Sequence, residues 1–167
     1  MAPAQAAAVP QASVGSPLEY QVKAAFILNF VNLTQWPPAA LGPPSSPLRI
    51  CLPGTDKFQG VLESTVRGES VMGHPLVVER LARDTAQACH VLFIPGGSSA
   101  TRSELLRGLT SVPVLTIGEG DAFLTAGGMV SFILDQGHVR FDISRSTAER
   151  HGLTLSSRML RVARSVQ

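Results

Sequence analysis

From Leu48 onward the sequence alternates short apolar runs with polar segments that suit helices, and glycine, proline or another turn residue closes each run. Runs such as VLFI (91–94) and VLTI (114–117) are too short for helices and lack the every-other-residue pattern of a half-exposed strand. They belong inside a sheet that is covered on both faces. We read strands at 48–52, 75–79, 90–94, 113–117, 129–134 and 138–143, and helices at 56–67, 99–108, 121–126 and 156–165. MVSFILD and HVRFDIS, by contrast, do alternate, and they meet around Gln136-Gly137 as an antiparallel hairpin at the sheet edge. The expected fold is three-layer α/β, with a mixed, mostly parallel sheet of about six strands and an antiparallel C-terminal hairpin.

Ahead of this region, Ser16-Pro17-Leu18-Glu19 reads as a helix start, with Ser16 as N-cap, Pro17 in the first turn and Glu19 completing a capping box. Leu18, Val22, Ala25, Phe26, Asn29 and Leu33 follow on one face, and the helix is expected to run to about Gln35, where Trp36-Pro37-Pro38 stops it. PPAALGPPSSP is then a surface loop. In the last helix Met159, Val162, Ala163 and Val166 share one face and Arg158, Arg161 and Arg164 the other, the pattern of an amphipathic helix docked on the sheet. The organisation is a leader over 1–17 followed by one domain over 18–167.

A chain of 167 residues with 44% hydrophobic side chains can remove about 70% of its unfolded surface from water, so folding requires neither a metal nor a mesh of disulfides. Charged residues are 16% against a usual figure of about 25%. The net charge is +2, but His138 to Arg164 holds six arginines against Asp142 and Glu149, leaving eight basic and ten acidic residues elsewhere. This asymmetry suits an anionic partner near the C-terminus and falls short of the basic stripe of a nucleic-acid-binding domain. Every apolar stretch is interrupted before about 18 residues, so no segment spans a membrane. The leader MAPAQAAAVPQASVGSP has neither a charged start nor a leucine-rich core, and resembles the stretch that follows a secretory signal. On composition alone, export and a cytoplasmic location both remain open.

No catalytic constellation is visible. The best phosphate-loop candidate, Pro95-Gly96-Gly97 before Ser98 and Ser99, lacks both the GxGxxG spacing and the lysine of a P-loop, and is read as a turn, as is Gly127-Gly128. There is no GxSxG, and His74, His90, His138 and His151 are scattered without HxH or HExxH spacing, which argues against zinc and against any cofactor. A hydrolase or transferase site around Gly96-Gly97 and His90 is the weakest reading. Cys51 and Cys89 each sit at a strand boundary. Two readings stand: buried free thiols, favoured because free cysteine behaves as a small core residue, or a disulfide between neighbouring parallel strands.

The ordered set EYQVKAAFILNFVNLTQWP, LRICLPG, HVLFIPG, PVLTIGEGDAF, GGMVSFIL, VRFDI and GLTLSSRMLRVAR, running from Glu19 to Arg164, resembles the YfiR-like family of bacterial periplasmic proteins. The resemblance implies a mixed α/β fold, a tendency to form homodimers, no catalysis, and repression of an inner-membrane diguanylate cyclase, a GGDEF protein, through its periplasmic portion. Repression lowers cyclic di-GMP and biofilm formation. It also implies export, with the leader as the remnant of a cleaved signal, and in an oxidising compartment a Cys51–Cys89 disulfide. A second cysteine pair, known in the family, has no counterpart here, since PVLTIGEGDAFLTAGG and the residues after it contain no cysteine. Arg140, Phe141, Ser156, Ser157, Arg158 and Arg161 are the candidate contact residues, because arginine and aromatic side chains anchor protein interfaces. Alternation also places Val139, Phe141 and Ile143 on one face, which makes Phe141 a core candidate. The other binding mode is a small anionic ligand held by the arginines, with Ser156 and Ser157 adding donors.

Overall fold

A computed structural model describes residues 15–54, 57–81, 85–96 and 98–167. Most of the 1–17 leader lies outside the described residues, as does Gly97. Helix α1 spans Pro17–Asn32, and the Ser16 hydroxyl accepts the Glu19 N–H at 3.1 Å as the capping pattern requires. It ends at Asn32, with Leu33 as C-cap, three residues earlier than expected, because Thr34–Gln35 (β1) leaves to pair antiparallel with Thr154–Leu155 (β9). A second correction concerns its rotation. The buried residues are Glu19, Lys23, Ala24, Ile27, Phe30 and Val31, while Ala25 and Asn29 face solvent. Aromatic packing sets this rotation, since the Phe30 ring lies 4.7 Å from Phe141 and 5.8 Å from Phe132. These contacts outweigh the apolar stripe that the sequence offers.

After the short helix α2 (Pro38–Leu41) come β2 (Leu48–Leu52), α3 (Lys57–Val66), β3 (Ser70–Val71) and β4 (His74–Arg80). A single 3-10 turn, Ala86–Ala88, precedes β5 (Val91–Phe93), which is followed by α4 (Ser99–Arg107), β6 (Leu115–Glu119), α5 (Ala122–Thr125), β7 (Val130–Asp135) and β8 (His138–Ile143). Helix α6 (Arg145–Arg150) leads to β9, α7 (Ser157–Val162) and β10 (Ser165–Val166). The main sheet has eight strands rather than six, in the order β10-β8-β7-β6-β5-β2-β4-β3. Strands β4, β2, β5, β6 and β7 run parallel, and β7–β8 is the antiparallel hairpin, turning at Gln136 and Gly137, both at positive φ. From β2 the chain steps outward to β4, then returns past β2 to β5 and continues the other way, so the winding reverses between β2 and β5.

Strand alternation sorts side chains into two cores, giving the expected three layers. Ile50, Leu52, Val91, Phe93, Leu115 and Ile117 meet α1 and Phe58, Leu62 and Val66 of α3. Cys51, Leu92 and Ile94 point the other way, to Leu106 of α4, Leu109 and Phe123 of α5.

The expected helix over 156–165 ends at Val162. The Arg164 N–H donates to the Phe141 carbonyl and its guanidinium grips Asp142, which draws the chain into β10 beside β8. Of the expected apolar stripe only Met159 is buried. Val162 is 63% exposed and Val166 44%.

Candidate functional site

The C-terminal candidates separate in space. Phe141 is buried, as its strand alternation allows, and meets Phe26 and Phe30 of α1 edge-to-face, so it presents no ring to a partner. Val139, Phe141 and Ile143 all join the α1 core, which places Arg140 and Asp142 on the opposite face of the sheet. Ser156 caps α7, which carries Ser157, Arg158 and Arg161 and whose Met159 enters the α1 core. The hydroxyl of Ser156 is occupied by the Arg158 N–H at 3.2 Å, and Ser157, Arg158, Arg161 and Val162 lie exposed around it. Arg140 is also exposed, but on β8 rather than α7.

Cys51 and Cys89 form a disulfide with Cα atoms 6.1 Å apart, and both are buried in the second core. Cys89 ends the Ala86–Ala88 turn rather than opening β5. The bond therefore ties the middle of the sheet to the loop that feeds β5. Beside it, at the amino ends of β2, β5 and β6, opens a cleft of about 450 Å³ between Leu41, Ser46, Arg49, His90 and Val112.

His90 organises this end of the molecule. Its backbone N–H donates to the Arg49 carbonyl, and its carbonyl accepts from Leu115 N–H and from Trp36 Nε1 at 3.1 Å. On the ring, Nδ1 faces the Arg49 N–H at 2.9 Å and Nε2 faces the Ala40 carbonyl at 2.7 Å. An N–H opposite Nδ1 and a carbonyl opposite Nε2 select the neutral tautomer protonated at Nε2. Burial holds the His90 pKa below its usual value, and the positive charges of Arg49 and His74 push the same way, against the Ala40 hydrogen bond. No linear signal marks this role, because the partners come from three separate segments.

The remaining candidates are structural. Gly96 turns at positive φ, and the Ser98 hydroxyl caps α4 by accepting from Thr101 N–H at 3.1 Å. His74 Nδ1 lies 2.7 Å from the Ser46 carbonyl and 3.4 Å from the Ser46 hydroxyl, which itself donates to the Leu41 and Pro43 carbonyls, and His151 Nδ1 lies 3.0 Å from the Val112 carbonyl, so both rings are tied to loop backbone. Among the described residues, no three His, Cys, Asp or Glu are grouped to hold a metal ion, and no helix is long and apolar enough to cross a membrane.

The fold and its features define a doubly wound, three-layer α/β domain stapled by one disulfide. The chain belongs to the YfiR/HmsC-like family, whose model matches residues 20–164. Members of that family are periplasmic regulators of diguanylate cyclase signalling. No curated protein matches the chain. Among solved structures it is similar to a conserved domain protein from Vibrio cholerae O1 biovar El Tor strain N16961, with a TM-score of 0.63 at 12% identity over 91% of this chain and 60% of that one. It is also similar to the ABC domain from Streptococcus pneumonia solved in complex with L-Trp, with a TM-score of 0.56 at 11% identity over 89% and 60% of the two chains. The chain thus spans about 60% of the length of these solved relatives, and at such identities the likeness is one of fold.

Proposed function

We propose that the protein binds the periplasmic portion of an inner-membrane diguanylate cyclase and holds the enzyme inactive, lowering cyclic di-GMP and restraining biofilm formation, without itself catalysing a reaction. The observation that carries this reading is the family match over residues 20–164. In support, the exposed end of α7 offers what a protein contact needs, an apolar centre at Val162 with Arg158 and Arg161 at its rim. The repressor acts as a homodimer, and the Cys51–Cys89 bond keeps it folded in an oxidising compartment.

The test is titration of the oxidised full chain with the periplasmic portion of a membrane GGDEF protein encoded beside it, alongside cellular cyclic di-GMP. Saturable binding that is weakened by Arg158→Glu with Arg161→Glu, and a rise in cyclic di-GMP when the protein is deleted, are the expected results. Absence of binding, with cyclic di-GMP unchanged on deletion, would overturn the reading.

A further inference from the structure

We propose that the cleft at the carboxyl ends of β5 and β6 binds a small organic cation, an amine carried on an apolar body. The inference goes beyond the regulatory reading and does not rest on it. In a doubly wound sheet, ligands settle beyond the carboxyl ends of the strands where the winding reverses. Here that place lies next to β5, and a cleft of about 200 Å³ opens there between α1, the start of α3 and the ends of β5 and β6. This is smaller than the roughly 300–1,000 Å³ of sites for drug-sized ligands, so the occupant is small.

The walls are aromatic and the floor is charged. Tyr20 meets Phe58 edge-on at 5.7 Å, and Phe58 lies 4.9 Å from Phe93. Below them the Lys23 ammonium sits between Glu19, at 2.6 Å, and Glu119. The Lys23 and Glu19 side chains are only 7% and 5% exposed, while Glu119 is 29% exposed. The second Glu19 oxygen accepts the Gly15 N–H. One cation between two carboxylates leaves a net negative charge, and Glu119 Oε1 accepts no hydrogen bond among the described residues.

Stability alone does not account for such a cluster. Buried ion pairs rarely repay their desolvation, and apolar side chains at these positions would seal the cleft. What the cluster supplies is a fixed negative potential and an unused acceptor beneath aromatic walls. An ammonium group would pair with Glu119 and gain from the nearby rings, an anion would be repelled, and a neutral analogue would forfeit the ionic contact.

The experiment uses the full, oxidised chain and three matched probes of one shape: phenethylamine, 2-phenylethanol and phenylacetate. Amide shifts of Gly15, Gly96 and Phe93 report on the cleft by NMR, and calorimetry gives affinity. Phenethylamine at millimolar concentration should shift these amides saturably. The alcohol should bind about tenfold more weakly, as loss of a charged hydrogen bond implies, and phenylacetate should leave the amides unmoved. Glu119→Gln should reduce phenethylamine affinity by about tenfold. If that variant does not fold, Tyr20→Leu, which leaves the charges in place, should weaken binding through loss of a wall. The proposal is overturned if the amine gives no saturable shift on folded protein, if alcohol and amine bind equally, or if both variants fold and bind as the wild type does. None of these results bears on cyclase binding, which reads a different surface.

Discussion

Gly128 exists to admit Phe123: a Cβ at position 128 would lie 2.1 Å from Cε1 of that ring. Gly118 stands on the ring's other side, where a Cβ would be 2.3 Å from Cδ2. Phe123 is fully buried and has nowhere to retreat. Gly118→Ala and Gly128→Ala should each cost about 1–3 kcal/mol through overpacking, seen as a lower urea midpoint. Gly60, within α3 and with nothing within 4 Å of a would-be Cβ, is the control. Gly60→Ala should raise stability by about 0.5–1 kcal/mol.

The disulfide closes a loop of 38 residues. In the chain-entropy model this contributes about 4 kcal/mol, which the double replacement Cys51→Ala, Cys89→Ala should remove in equilibrium urea unfolding. Thiol titration of the unreduced protein in denaturant should find no reactive sulfhydryl.

Acid should loosen the His90 end of the molecule. In the unfolded chain the imidazole takes a proton near pH 6.5, whereas the folded protein keeps it neutral to lower pH. Stability from His90 is therefore complete above that value and falls as pH drops through the lower folded pKa. Protonation also puts an N–H on Nδ1 facing the Arg49 N–H. Trp36, the single tryptophan, donates to the His90 carbonyl and so reports the event. Its emission should shift on titration from pH 7 towards 5, and His90→Gln should flatten the response; a wild-type signal constant across the range would contradict this account.

Strand β10 is held by a two-point contact, Arg164 Nε to Asp142 Oδ1 at 2.9 Å and Nη2 to Oδ2 at 2.6 Å. Hydrogen bonding from Arg164 holds the Asp142 carboxyl below its ordinary range, against the effect of burial. Its contribution is present above the usual aspartate pKa and disappears as pH falls through the lower folded value. Arg164→Ala should speed hydrogen exchange at the Arg164 and Gln167 amides by about tenfold while leaving β5 and β6 protected, as local opening predicts.

What the sequence made legible was local. VLFI and VLTI announced covered strands, Gln136-Gly137 marked the hairpin, and Ser16 capped its helix, because each signal lies within a few consecutive residues. The rotation of α1 did not follow from its own pattern, since Phe132 and Phe141 from the hairpin decide which face turns inward. The end of α7 departs from its local pattern for the same reason. Asp142, on β8, pulls Arg164 out of a helix that the local sequence favours. The charged cleft was not legible: Glu19 read only as part of a helix cap, and the fold brings Lys23 and Glu119 to it. His90 likewise draws its partners from segments that no linear spacing connects.

The rings of Phe26 and Phe30 on the first helix find their partners, Phe132 and Phe141, near the other end of the sequence. Contacts between such distant positions pay loop-closure entropy before they return any energy, which slows folding. A polypeptide emerging amino end first has no means of completing this aromatic core until the hairpin has followed. Until then the early helix remains without its partner rings. That lateness makes the interval before the hairpin forms, rather than the finished fold, the stage at which a holding chaperone would matter most.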